Sequence, residues 1–327
     1  MRAVCRKPAS GVEVRDIAVP DATREHVVVR ISACGINPGD KAWIAGAFPE
    51  IPASRHDICG ATACGVVVAA GEGVPQAYFG RKVAVYRSLK ASDDCVGVWS
   101  EYARLHYLNC LVLPDDVDET EYAASLVSNV TAYVFFEQML EAGHQAFVAT
   151  AGTSATGRSL LGVCRAWSTP IVCLTRTEQG RALLAGLDAD HVLVASDPEF
   201  DRKLATACGG LNATAVFDGV GGKLVGRLAK ALPAGSTVHC YGFLAGPEPL
   251  ELPSSLLLMK SLTLTSFSVL RPLMRDAQTL KRLLAGLEPI IAMPQFRTLP
   301  GKSFRLEQAA QALNWSDSDG LKVLLRP

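Results

Sequence analysis

The stretch Phe147-Val-Ala-Thr-Ala-Gly-Thr-Ser-Ala-Thr-Gly157 constrains this chain more than any other. An apolar run, Ala146–Ala149, stops at small and hydroxylated residues, and a helical pattern from Ser159 to Trp167 follows at once. The order is buried strand, tight turn, helix. A turn of small residues lets the backbone approach a ligand. The helix leaving it aims free N–H groups and the positive end of its dipole at that ligand, which suits a pyrophosphate.

The rest of the chain can be arranged around this turn. Before it, Val27–Ala33, Ala63–Ala70 and Lys82–Tyr86 are β-branched runs punctuated by Gly71, Gly73 and Gly80, the pattern of a small barrel or sandwich. The texture changes near Leu113-Pro114-Asp115-Asp116, and Glu121–Leu140 reads as helix. Strands are then predicted at 146–150, 170–174, 191–194, 214–217, 236–240 and 261–266, with helices at 157–167, 178–186, 199–208 and 221–231. Such alternation predicts an α/β fold with a doubly wound parallel sheet. A last strand, Lys322–Arg326, is expected to rejoin the β-rich part. The domains expected are 1–117 with 267–327, and 118–266 between them.

Bulk properties remove several functions. The 327 residues carry 32 basic and 32 acidic side chains, so no charge excess points to nucleic acid or an anionic membrane. No stretch approaches the roughly 20 apolar residues of a membrane span, and Met1–Pro8 carries no signal-like apolar core, so a cytoplasmic location is expected. None of the ten cysteines forms a Cys-x-x-Cys pair, and buried, reduced thiols are expected. His56, His106 and His144 show no identifiable partner in the sequence and receive no role.

The motif order resembles the medium-chain dehydrogenase/reductase superfamily, and within it the zinc-free quinone reductase and enoyl reductase branch. Gly35-Ile-Asn-Pro-Gly-Asp40 is similar to the family's Gly-x-Asn-Pro-x-Asp, and Gly65–Val74 to its Gly-Val-Val-x-x-Val-Gly-x-Gly-Val. Thr131-Ala-Tyr133, Leu187-Asp-Ala-Asp-His-Val192 and Phe217-Asp-Gly-Val-Gly-Gly222 match further family segments in the same order. The resemblance implies a GroES-like β-rich catalytic domain, a Rossmann nucleotide-binding domain, and a homodimer built through the strand Leu262–Ser266. The phosphate turn departs from the branch: Ser154-Ala-Thr-Gly157 stands where Gly-Gly-Val-Gly is common.

The expected cofactor is NADPH. The strand ending at Leu174 is followed by Thr175-Arg176-Thr177, with no acid to accept from a ribose 2′-hydroxyl and a guanidinium suited to a 2′-phosphate. A solvated surface charge is the alternative for Arg176. Thr131, the turn residues Ser154, Ala155 and Thr156, the strand-end residues Gly219, Val220, Tyr241, Gly242 and Phe243, and Ser268 after a late strand complete the expected cofactor contacts.

No metal is expected. Zinc-dependent relatives place ligands where this chain has Asn37 and Ala61, and only Cys95 stands where their four-cysteine loop would lie. Hydride would then pass to an acceptor activated by conjugation: a quinone, an enone or an enoyl thioester. Asn37 is the candidate for orienting that acceptor; a turn residue before Pro38 is the alternative. Asp40 is read as a lock on this loop. Phe48 stands where some enoyl reductases carry a proton-donating Tyr. An NADPH-binding sensor or scaffold with little catalysis is the alternative function.

Overall fold

The computed structural model describes residues 1–7, 11–47, 55–88, 97–246, 248–269, 277–315 and 320–327. Phe48 and Cys95 lie outside the described residues. The chain divides into two compact units, Met1–Val130 with Leu270–Pro327, and Thr131–Val269.

In the first unit β1 (Arg2–Lys7) pairs antiparallel with β2 (Gly11–Asp16). The main sheet uses β3 (His26–Gly35), β4 (Thr62–Ala70), β5 (Lys82–Tyr86), β6 (Tyr102–His106) and β7 (Cys110–Val112), and near the C-terminus β14 (Pro300–Arg305) and β15 (Lys322–Arg326). Its order is β14-β15-β3-β4-β5-β7, with β6 on β3. The C-terminal strand returns to this sheet by pairing antiparallel with β3, Leu325 opposite Cys34. Val27, Val29, Ile31, Val83, Val85, Trp99 and Leu325 are buried in its core. A short helix, α1 (Pro38–Ile44), follows β3 directly.

Helix α2 (Leu126–Glu141) carries the chain into the second unit. There β8 (Phe147–Ala149), β9 (Ile171–Thr175), β10 (His191–Val194), β11 (Ala215–Asp218), β12 (Thr237–Cys240) and β13 (Thr263–Ser266) form a six-stranded parallel sheet. The order is β10-β9-β8-β11-β12-β13. Helices α3 (Ala155–Ala166), α4 (Glu178–Ala185), α5 (Phe200–Leu211), α6 (Leu224–Ala231) and α7 (Ser254–Lys260) connect successive strands, and α8 (Ala277–Leu287) belongs to the first unit. The order reverses direction between β8 and β11. In a doubly wound sheet that reversal opens the ligand crevice at the carboxyl ends of the strands. Phe135 of α2 stacks on Phe217 of β11 with centroids 4.1 Å apart, and Phe147 and Phe267 meet it edge-on, so the strands below the crevice rest on an aromatic cluster.

Several boundaries differ from the sequence expectation, among them the long helix, which starts at Leu126 rather than Glu121, and two helix starts show their physical reasons. Helix α3 starts at Ala155 rather than 157, because Ser154 is its N-cap. Helix α6 starts at Leu224 rather than 221, because Gly221 and Gly222 have φ of +74° and +58° and make a turn. Two histidines also have partners that the sequence did not reveal. His144 Nδ1 lies 2.7 Å from Thr214 Oγ1, and His106 Nδ1 accepts from Leu108 N at 3.2 Å.

Candidate functional site

The crevice end of the second unit is organised by a buried carboxylate. Asp218 ends β11 with no solvent exposure. Its Oδ1 accepts from Thr150 Oγ1 at 2.6 Å and from Val220 N at 3.1 Å, and its Oδ2 accepts from Gly221 N at 3.1 Å. Thr150 Oγ1 in turn accepts from Gly219 N at 3.0 Å. Thr150, Asp218 and the turn Gly219–Gly222 therefore form one network joining the ends of β8 and β11, whose donors and acceptors satisfy each other. Neither Thr150 nor Asp218 stood among the expected site residues. The signal was present in an Asp that ends an apolar strand and runs into Val-Gly-Gly.

Tyr241, just past β12, closes this network from the other side. Its ring packs on Phe217 at 4.0 Å, and its phenol is hydrogen-bonded to the Ser154 hydroxyl. Burial pushes the phenol's pKa well above its ordinary value. A Cβ added at Gly219 would stand 2.5 Å from Tyr241 Oη, so only glycine admits the ring here. The structure thus brings together three expected residues, Ser154, Gly219 and Tyr241. Val220, Gly242 and Phe243 line one cavity of about 700 Å³ with Cys240, Leu244 and Leu250.

At the phosphate turn, Ser154 Oγ accepts from Gly157 N at 3.0 Å. That bond caps α3 through a lone pair of the oxygen, and the hydroxyl is also engaged by the Tyr241 phenol. The N–H groups of Ala155 and Thr156, in the first turn of α3, have no intrahelical acceptor. A Cβ on Gly157 would collide with the Ala151 carbonyl, so this turn needs its one retained glycine. Arg158, fully buried in the first turn of α3, donates from Nη1 to Thr153 O at 2.6 Å, and burial lowers its pKa to about 10. Sequence reading passed over this residue.

The end of β9 is built from Thr175, which is buried, and Arg176, which is exposed. The Arg176 carbonyl accepts from Ser196 Oγ at 3.3 Å, fixing its backbone beside the end of β10. Thr177 caps α4, accepting from Gly180 N at 3.0 Å, and Glu178 pairs with Arg181 at 2.6 Å, so the nearest acid is engaged along its own helix. Thr131 sits half-buried on α2, and Ser268 is exposed two residues beyond β13. A glycine-bearing turn that opens a helix at the reversal of a parallel sheet has the form of a dinucleotide site.

The first unit carries a second polar cluster around Asn37. Asp40 Oδ2 accepts from Asn37 N at 2.7 Å and also holds the Ala61 backbone, locking the loop between β3 and α1. The Asn37 amide donates from Nδ2 to Thr62 Oγ1 at 3.0 Å and accepts at Oδ1 from Lys322 Nζ at 2.9 Å. Among the described residues, one of its two amide hydrogens has no acceptor. Burial raises the Asp40 pKa from 3.8 to about 6, against the opposing pull of these N–H groups and of Arg87 and Lys322. Beside the cluster Trp43 carries two guanidinium groups, with Arg6 Cζ 4.5 Å and Arg87 Cζ 5.0 Å from its ring centroid. Among the described residues, no group of three or more His, Cys, Asp or Glu side chains is placed to hold a metal ion, and no helix is long and apolar enough to cross a membrane.

The comparisons with known proteins agree with this architecture. Residues 23–115 match the family described as alcohol dehydrogenase GroES-like domain, and residues 155–286 match that described as zinc-binding dehydrogenase. The chain is 27% identical over 275 residues to a mitochondrial enoyl-[acyl-carrier-protein] reductase of Caenorhabditis elegans, covering 80% of this chain and 74% of that protein. It is 23% identical over 319 residues to the quinone oxidoreductase of Rattus norvegicus, covering 95% and 92%. A crystal structure from Mesorhizobium loti, assigned as an NADPH:quinone reductase, superposes with a TM-score of 0.75 at 25% identity, covering all of this chain and 96% of that one.

Proposed function

Because the chain belongs to the medium-chain dehydrogenase/reductase superfamily, in the branch of the quinone and enoyl reductases, we propose that it is a zinc-independent, NADPH-dependent reductase of a quinone or a conjugated C=C bond. The observation that carries this reading is the crevice at the reversal of the parallel sheet. There Asp218 fixes a glycine turn, an apolar cavity adjoins that turn, and α3 offers open N–H groups. When bound, the dihydronicotinamide supplies a hydride: the acceptor gains two electrons and one hydrogen, its oxygen takes the negative charge, and water supplies the proton that neutralises it.

The chain's own residues hold and orient. Ala155 and Thr156 N–H groups face the diphosphate, with Ser154 and Tyr241 bracing the turn beneath them. Gly219, Val220, Gly242 and Phe243 border the nicotinamide end, with Thr131 and Ser268 flanking it. Arg176 beside Thr175 takes the 2′-phosphate, a role supported by its exposure at the end of β9 and by the absence of a free acid there. Asn37 orients the acceptor through its uncommitted amide hydrogen. Zinc independence is supported by an Asn37 amide already bonded to Thr62 and Lys322.

The same reading makes the protein a homodimer. Among the described residues β13 pairs on one edge, with β12, and Leu258 and Met259 of the adjoining α7 are 82% and 83% exposed. A sedimentation-equilibrium mass equal to one chain would remove this part of the reading.

The deciding experiment is titration with NADPH and NADH, followed by nicotinamide fluorescence, in the wild type and in Arg176→Ala. NADPH is expected to bind more tightly, and the variant to lose about 10–30-fold in NADPH affinity with little change for NADH. Equal affinities for the two cofactors would refute the 2′-phosphate site. Tight NADPH binding with no oxidation across a panel of quinones, enones and enoyl thioesters would favour a sensor over a reductase.

A further inference from the structure

The cavity of about 700 Å³ lies wholly within the second unit, a size that suits a small molecule. One wall is the glycine turn after β11, and the other is the segment 242–250. A Cβ added at Gly221 would stand 3.6 Å from Leu250 Cδ2, and one at Gly222 would stand 4.0 Å from Glu248 Cβ, so the walls face each other. Hydrogen bonds hold them together: Leu244 N donates to Gly219 O and Ala245 N to Val220 O, both at 3.0 Å. Val220, Cys240, Phe243, Leu244, Glu248 and Leu250 supply the side chains of the lining. The other four lining residues are glycines, so side-chain selectivity rests with those six. Phe243 and Leu244 are 70% and 60% exposed, and an apolar ligand lying on them removes that surface from water.

The same walls offer little to an anion. The N–H groups of Val220 and Gly221 are bonded to Asp218, and those of Leu244, Ala245 and Gly246 to the carbonyls of Gly219, Val220 and Phe243. Among the described residues no cationic side chain lines the cavity. Lys223, next in the chain after Gly222, lies 3.8 Å from Glu251, which offsets its charge. Two ionisable side chains do line the cavity. Burial, reinforced by Asp218, pushes the Cys240 thiol up to about 11, so it is neutral at neutral pH. That thiol donates to Asp218 Oδ2 at 3.8 Å, which sets one carboxylate behind the wall. Glu248 sets a second at the cavity itself. A negative charge brought here would leave water for a place with two carboxylates and with these five N–H groups already engaged; an uncharged apolar body meets no such penalty.

We infer that this cavity binds the apolar body of an uncharged hydride acceptor and that Glu248 is a specificity-determining residue, turning away acceptors whose body carries a carboxylate, phosphate or sulfonate. The acceptor's carbonyl oxygen, which takes the negative charge on reduction, is left facing water. Calling the ligand an acceptor rests on the reductase reading, but the selectivity of the cavity can be tested without turnover.

Cys240 reports occupancy, because it is the one cysteine among the described residues that is not buried. Its alkylation by iodoacetamide is followed at the Cys240 peptide by mass spectrometry. The competitors are acetophenone and 4-acetylbenzoate, the same aryl ketone without and with a carboxylate. Acetophenone is expected to protect Cys240 at a concentration about tenfold lower than 4-acetylbenzoate. Glu248→Gln is expected to narrow that difference about fivefold, the size of one exposed charge acting on another nearby. Glu248 is exposed, so the substitution does not disturb a core. No protection by acetophenone, equal protection by the two ketones, no alkylation of Cys240 at all, or an unchanged difference in Glu248→Gln overturns the inference.

A second arm compares kcat/KM with NADPH for 1,4-naphthoquinone and its 2-sulfonate. The preference for the uncharged quinone is expected to fall about fivefold in Glu248→Gln. An unchanged preference in an active enzyme overturns the inference while leaving the reductase reading intact. Selective protection of Cys240 in a protein that reduces no quinone, enone or enoyl thioester supports the selectivity for uncharged ligands and removes the reductase reading.

Discussion

Gly219→Ala tests whether the crevice is held by the packing of Tyr241 against the glycine turn. The new Cβ would stand 2.5 Å from Tyr241 Oη and 2.6 Å from Cζ. Ordinary contact begins near 3.4 Å, so the ring must retreat by almost 1 Å. It cannot do so freely, because Phe217 packs at 4.0 Å and the phenol is bonded to Ser154. Overpacking of this kind costs about 1–3 kcal/mol, and losing the Ser154–Tyr241 hydrogen bond adds about 1 kcal/mol. A destabilisation of about 3 kcal/mol is expected, or about 6–12 °C in Tm for a unit of this size. Calorimetry on Gly219→Ala, Tyr241→Ala and the double variant reads it. The added methyl has room once the ring is gone, so the two losses should be less than additive by about 1–2 kcal/mol. Additive losses, or a Gly219→Ala change below about 0.5 kcal/mol, would refute the reasoning.

Asp40 makes stability depend on pH. Its folded-state pKa of about 6 lies above the ordinary 3.8. Its contribution to stability is therefore complete below the unfolded value and is lost as pH rises through about 6. A shift of about two units corresponds to roughly 3 kcal/mol. Asp40→Asn should accordingly improve relative to wild type by up to that amount between about pH 4 and pH 7.5 in urea unfolding; a difference that does not change with pH refutes the raised value. Ser154→Ala should cost about 1 kcal/mol by uncapping α3, whereas Ser154→Gly should cost only a few tenths. Because the Ser154 hydroxyl is engaged by both Gly157 N and the Tyr241 phenol, NADPH affinity should change less than about threefold in either variant. A tenfold loss of affinity at unchanged stability would show that the hydroxyl faces phosphate.

Much of this protein was determined by local sequence. Apolar runs of strand length, broken by Thr150–Gly157 and by Gly219–Gly222, dictate strand–turn–helix units wherever they occur, because periodicity and turn chemistry act between near neighbours. The six parallel strands, the turn between β8 and α3 and the end of β9 at Thr175 were legible in that way. The partners of the side chains were not. Ser154 reads as a phosphate donor until the fold sets the Tyr241 phenol against it. Asp218 reads as a strand-end acid until Thr150, 68 residues earlier, arrives on its carboxylate. Asn37 reads as an open amide until Lys322, 285 residues later, occupies its oxygen. Arg87 carries no motif at all, yet the fold buries it against Trp43 and near Asp40. Hydrogen bonding and desolvation are settled by what the fold brings within about 3 Å, and residues that meet at that distance here are separated by tens to hundreds of positions in the chain.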